Sequence, residues 1–204
     1  MLYINKTESR GKISREIFLN KAKTFFWKKG YDRTSLRDIS QACGCTPGNV
    51  YNYFSSKEQI LFEILLSEMN RLISMIQALE YDEITSPIEQ LRILIQKHVE
   101  HTLAPAKGHL LHFEMELRHL SKRHQKEIIA LRDRYDWILR KIIRRGVDTG
   151  IFVPLNEKIV NYAIASMIVR ARVWYSPRGD LSLSELSNAI CELFLNNLKP
   201  RKNN

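Results

Sequence analysis

The chain has 204 residues, 44% apolar and 26% charged, with only 8 glycines and 6 prolines, a globular balance that excludes disordered, collagen-like and low-complexity classes. Lys and Arg outnumber Asp and Glu by 32 to 22, and the first 60 residues carry 11 against 5, so positive charge is densest at the front, where a polyanion such as nucleic acid is the first partner to consider. Three cysteines (Cys43, Cys45, Cys191) are an odd set that fits a reducing compartment better than a disulfide scaffold, MLYINKTESR has no signal-peptide pattern, and no apolar run reaches membrane-spanning length, so a cytoplasmic protein is expected.

Helical periodicity runs through the whole chain, and no segment alternates as a half-buried strand does. A helix is predicted from about Ser14 to Lys29, with Ile17, Phe18, Phe25 and Phe26 on its apolar side and Gly30 as its stop. A second starts at Thr34, taken as the cap, and ends at Gly44; a short third opens at Thr46 with Pro47 in its first turn. Ser55-Ser56-Lys57-Glu58 reads as a capping box, with Ser55 as cap and Glu58 reaching back, for a helix to about Leu79. Further helices are predicted from Ser86-Pro87 to about Pro105, from His109 to Leu120, from Lys122 to Asp148, after the cap Asn156, and after the capping box Ser182–Glu185. The result is an all-α chain of about nine helices: an N-terminal three-helix helix-turn-helix domain over residues 11–60 and a helical body over 61–204.

The front unit carries the readable chemistry. Leu36, Ile39 and Ala42 give one helix a buried side, Gly44 permits a tight turn, and Val50 and Phe54 bury the next helix. That leaves Thr46, Pro47, Gly48, Asn49, Tyr51, Asn52 and Tyr53 near an outer face of small residues, amides and phenols without an acid, which suits a major groove. Lys57, at the start of the following helix, is a candidate phosphate contact.

The run from Gly30-Tyr31-Asp32-Arg33-Thr34 to Ile39, followed by Gly44-x-Thr46-Pro47-Gly48-x-Val50-Tyr51-x-Tyr53-Phe54-x-x-Lys57-Glu58-x-x-Leu61, resembles the signature of the tetracycline-repressor (TetR) family. The resemblance implies a homodimeric, all-α transcriptional regulator of double-stranded operator DNA, whose body binds a small effector. It makes Thr34 a phosphate-contacting cap, turns Thr46, Pro47, Gly48, Asn49, Tyr51 and Tyr53 toward the groove, and places Lys57 on phosphate. Cys45 stands where the family has an aliphatic residue; it reads as a small buried side chain rather than half of a redox pair with Cys43.

In the body, Glu116–Ser121, Arg132-Asp133-Arg134-Tyr135, Gly146–Phe152 and Trp174–Ser182 resemble regulators of fatty-acid and sterol-side-chain breakdown that respond to acyl-CoA thioesters. The sequence departs from them at Val169-Arg170, where an Asn-Trp pair is common. The candidate ligand contacts are Glu114, Arg118, Met167, Arg170, Trp174 and Arg178, since cations beside aromatic and aliphatic walls suit an anionic, partly apolar ligand. The same residues also read as ordinary structure, with Trp174 in a core, Arg172 and Arg178 solvated, and Arg170 paired with Glu114 or Glu116. A buried Glu114 facing aromatics would instead mark a sensor of cationic drugs.

Ile164, Met167, Ile168, Leu186, Ile190, Leu193 and Phe194 form broad apolar faces on the last two helices, the candidate dimer interface, with packing inside one chain as the alternative. All six histidines fall between His98 and His124; His109, His112, Glu116 and His119 share one helical stripe, but it is too long for one ion, and no metal or other cofactor is expected. No nucleophile–base pattern and no Gly-rich phosphate loop points to an enzyme. Beside the regulator stands one other class, a DNA-binding structural or division-control protein.

Overall fold

The structure, a computed structural model, describes residues 6–103 and 116–200, with the side chains of the first helix from Arg15 onward. Among the described residues the chain is all-helical, without a strand. In order these are α1 (Lys6–Lys29), α2 (Leu36–Ala42), α3 (Pro47–Tyr51), α4 (Lys57–Ile76, continued by a 3-10 turn Gln77–Glu80), α5 (Pro87–Leu103), α6 (Lys122–Asp148), α7 (Glu157–Ala171) and α8 (Leu183–Leu198). The helix expected over His109–Leu120 lies outside the described residues up to residue 115.

The chain divides into two units, Met1–Glu68 with Gly108–Ile128, and Met69–Lys107 with Ile129–Asn204. The first is built on Phe18, Ala22 and Phe26 of α1, spaced by four on one face, which pack with Ile39, Val50, Phe54, Ile60, Leu61 and Leu65. Leu120 and Ile128 complete this core. Gly30 and Gly44 adopt φ values of +81° and +69°, the left-handed conformation that lets the chain leave α1 and turn sharply between α2 and α3.

Several helix ends differ from expectation. α1 begins at Lys6 rather than near Ser14, and Ile17, assigned to its apolar side, is 44% exposed. Ser35, not Thr34, caps α2: its hydroxyl accepts from Asp38 N, and the Asp38 carboxylate accepts from Ser35 Oγ and from Ser35 N, which together hold that carboxyl down at about 2. Thr34 is buried, and its hydroxyl donates to Gly30 O at 2.8 Å, so a hydroxyl–phosphate contact there is withdrawn. At the start of α4 the cap is Ser56, whose hydroxyl accepts from Gln59 N, while Gln59 Oε1 reaches back to Ser55 N at 2.6 Å; Glu58 is not the returning partner. Both slips have one cause, since adjacent Thr34/Ser35 and Ser55/Ser56 carry equivalent hydroxyls and packing selects the register. Asn156 and the Ser182–Glu185 box cap α7 and α8 as expected.

The second unit closes around Leu91, Leu94 and Ile95 of α5, Ile138, Leu139 and Ile142 of α6, and the inner faces of α7 and α8. Ile164, Ile168, Leu186 and Ile190 belong to this core, so they are removed from the candidate dimer surface; Met167 and Phe194 are half-buried, and of the expected set only Leu193 is largely exposed. Arg134 and Lys141 bond Glu80, while Arg145 bonds the carbonyls of Asp82 and Thr85, fixing the connection between α4 and α5 onto α6. Inside the core, His98 Nδ1 lies 2.7 Å from the Tyr135 hydroxyl.

Two measurements test this packing. A Cβ at Gly146 would fall 2.0 Å from Phe152 Cδ2, so Gly146→Ala should lower stability by about 1–3 kcal/mol in urea unfolding. Burial, with help from the charges of His101 and Arg172, pushes His98 from 6.5 down to about 3. The unfolded chain therefore takes up this proton before the folded one, and stability should be full above pH 6.5 and fall progressively toward pH 3. His98→Asn should flatten that part of the urea-midpoint profile.

Candidate nucleic-acid interface

The α3 helix is too short to stand by itself, and its position is imposed by Val50, which is fully buried in the core of the first unit. With Val50 inward, Thr46, Pro47, Gly48, Asn49, Tyr51 and Asn52 are all exposed. Pro47 fills the first turn, where its missing N–H costs no hydrogen bond. Asn49 Oδ1 accepts from both Thr46 N (3.2 Å) and Thr46 Oγ1 (2.7 Å). This fixes the Asn49 side chain and leaves its NH2 as the group that can meet a base-edge acceptor. No acidic side chain lies on α3.

Tyr51 and Tyr53 separate here. Tyr51 is 58% exposed, whereas Tyr53 is half-buried with its ring 5.5 Å from Phe18, so Tyr53 is a packing residue and does not belong with the outward set. Beneath it, the Arg15 guanidinium donates to Tyr53 O at 2.7 Å and lies 4.6 Å above the Phe54 ring.

Lys57 is half-buried, and its ammonium donates to Tyr31 O (2.9 Å) and Thr34 O (3.0 Å), with the Tyr31 ring 4.1 Å away. An ammonium has three donors, so one N–H remains for a phosphate, but its main work is to clamp the turn before α2 to the start of α4. Burial, reinforced by Glu58, Asp32 and Glu116, pushes the Tyr31 phenol up to about 12, keeping it neutral. Arg37, which sequence reasoning passed over, lies in the first turn of α2; its position after the Ser35 cap was the available signal. Cys43 and Cys45 are half-buried free thiols packed on the core, and burial raises Cys43.

The ligand candidates do not form one site. Glu114 lies outside the described residues, and Arg118 belongs to the first unit, exposed, with its Nε donating to His119. In the second unit Met167 is half-buried, but Arg170, Trp174 (57%) and Arg178 face solvent. The arginine turned inward is Arg172, whose proton affinity is lowered by burial. The last turn of α7 aims successive residues to different sides, and composition does not say which. Among the described residues no group of His, Cys, Asp and Glu has the arrangement of a metal site. No described helix is long and apolar enough to cross a membrane.

Residues 18–64 match the family model for bacterial regulatory proteins of the tetR family, and residues 85–198 match the tetracyclin repressor-like C-terminal domain. The chain belongs to the TetR family. It is a DNA-binding transcriptional regulator and not an enzyme. Among curated relatives, the HTH-type transcriptional repressor KstR2 of Mycolicibacterium smegmatis is 28% identical over 193 residues, covering 93% of this chain and 92% of that one. Among solved structures, the TetR-family regulator PfmR from Thermus thermophilus superposes with a TM-score of 0.79 at 31% identity, over 90% of this chain and 99% of that one. AibR, solved in complex with isovaleryl coenzyme A and operator DNA, shares the fold with a TM-score of 0.77 at 20% identity, over 88% of this chain and 97% of that one.

Two substitutions distinguish contact from scaffold. Tyr51→Ala should weaken DNA binding about tenfold with an unchanged thermal midpoint, because the ring is exposed. Lys57→Ala should also lower stability, by about 1–3 kcal/mol, because it removes charge-assisted bonds to two carbonyls. An unchanged urea midpoint in Lys57→Ala would refute the clamp.

Proposed function

We propose that the chain is a homodimeric repressor of an inverted-repeat operator, acting in the cytoplasm and released by a small acyl-type effector. The observation that carries the DNA reading is the acid-free outer face of α3, seated by the buried Val50. Thr46, Pro47, Gly48, Asn49, Tyr51 and Asn52 meet the major groove, Arg37 and the remaining N–H of Lys57 meet phosphates, and two such faces sit about 34–36 Å apart on one side of the duplex.

The second copy pairs through the outer stripe of α7. Ile159, Tyr162, Ala163, Ser166, Val169 and, just beyond the helix, Val173 are exposed at spacings of three and four, and Leu193 of α8 is exposed as well. An apolar stripe of this length favours pairing with a second copy. Val169→Glu should split the dimer in light scattering, because it would bury an unpaired carboxylate in the interface; a dimer that persists moves the interface elsewhere.

For the effector, support comes from the motif resemblance in the body and from the shared fold of AibR. The half-buried Arg172 and the buried His98–Tyr135 pair take the place of Arg170 and Arg178 as the groups that meet its polar end. The test has two steps. Selection from random duplexes should yield an inverted repeat, and acyl-CoAs of graded chain length should then release the selected duplex while free acids do not. A tenfold loss of affinity needs about 1.4 kcal/mol of preference for the DNA-incompetent arrangement. Release by a cationic drug, with thioesters inert at millimolar concentration, would replace the acyl reading by the drug-sensing one. Dense occupancy of genomic sites away from promoters would favour a structural DNA-binding role.

A further inference from the structure

Residues Glu116–Ile128 belong to the first unit, where Leu120 and Ile128 join its core and two histidines add polar and ring contacts. His124 stacks on Phe62 at 3.8 Å, and its Nδ1 lies 2.7 Å from Glu58 Oε1, which also accepts from Ser121 N at 2.9 Å. That nitrogen can donate to the carboxylate whether or not the ring is charged, so protonation strengthens the bond without changing partners.

His119 is different. Its ring packs on Tyr31 at 4.5 Å, and Tyr31 holds Lys57 through both its ring and its carbonyl. Its Nε2 accepts from Arg118 Nε at 3.2 Å, so in the described arrangement this nitrogen carries no proton. Glu116 Oε2 lies 3.9 Å from the same nitrogen, is closed off from water, and has no hydrogen-bond partner among the described residues. Burial also pushes the Glu116 carboxyl up. A buried carboxylate oxygen left without a donor is costly, and a protonated His119 would supply one.

We propose that Glu116 and His119 form a proton-operated clamp on the DNA-reading head, in which proton uptake at His119 Nε2 exchanges Arg118 for Glu116 and fastens the imidazolium against Tyr31 and, through it, Lys57. The proton comes from solvent, and no covalent bond changes. The proposal rests on the DNA-binding reading above and adds a regulation to it. Among the described residues, the charged groups facing His119 are Glu116 and Arg118 on its own segment and Asp32, 3.5 Å from Nδ1, on the turn after α1. Around Tyr31 stand Lys57 and Glu58 of α4 as well. Glu58 is engaged by His124, so at His119 itself two carboxylates, Glu116 and Asp32, stand against the one cation Arg118, and an imidazolium brings that set to balance. His119 is a positioning residue: it touches no DNA and acts through Tyr31.

The test is operator affinity at constant ionic strength, using the selected duplex and a scrambled one. Affinity for the selected duplex should fall at least about threefold as pH is raised from about 6 to about 8. The scrambled duplex measures the general effect of added positive charge. His119→Gln should flatten the difference between the two duplexes and hold affinity near its alkaline value, Glu116→Gln should reduce it, and His124→Gln should leave it in place. Independently of DNA, NMR titration of the full chain should show the Tyr31 ring resonances moving with the His119 imidazole. A pH dependence that survives His119→Gln, or Tyr31 resonances that do not follow His119, would overturn the clamp. If no duplex is selected, the DNA reading fails while the NMR titration still decides the clamp.

Discussion

The ammonium of Lys57, bonded to the carbonyls of Tyr31 and Thr34 and lying over the Tyr31 ring, ties the start of α4 to the turn that launches α2. The next residue, Glu58, accepts from Ser121 N and pairs with His124 at the start of α6. Two adjacent side chains of opposite charge therefore hold two chain segments, distant from each other in sequence, to one helix end. The α2–α3 turn and the outer face of α3 depend on this joint, because α3 is too short to keep its own orientation. A charge that is half-buried and bonded to carbonyls is costly to displace, which makes the joint rigid.

The second unit divides its polar and apolar groups against the usual rule. His98 and His101 lie buried with Tyr135, and Arg172 is half-buried, while Ile159, Val169, Val173 and Trp174 are exposed. Buried polar groups and uncovered apolar ones each need a reason. The proposed effector and the proposed second copy would supply the two reasons, one on each face of α7.

Local signals were legible wherever one residue type has one physical use. Gly30, Gly44, Pro47, Asn156 and the Ser182–Glu185 box mark helix ends because few residues adopt left-handed φ, open a first turn or cap a helix. The 27-residue α6 was readable end to end, because its apolar stripe is narrow and its other faces are charged. Where neighbours were chemically equivalent the reading slipped by one, as at Thr34/Ser35 and Ser55/Ser56. The α7 helix defeated periodicity altogether: Ile159, Val160, Ile164, Met167, Ile168 and Val169 surround it, and no sequence rule says which side a core will claim.

The sequence by itself determined the class of the protein: an all-helical chain with a basic front, a helix-turn-helix register anchored by Val50 and Phe54, and an outward set running from Thr46 to Asn52. These follow from local geometry and side-chain size, which a residue carries wherever it sits. Tertiary structure alone decided that Tyr53 turns inward, that Lys57 clamps carbonyls, that Arg172 rather than Arg170 or Arg178 faces the interior, and that Ile164, Ile168, Leu186 and Ile190 are core while Ile159, Tyr162 and Val169 remain outside. Each of these is a choice between chemically similar residues, and it is made by contacts with segments distant in the chain.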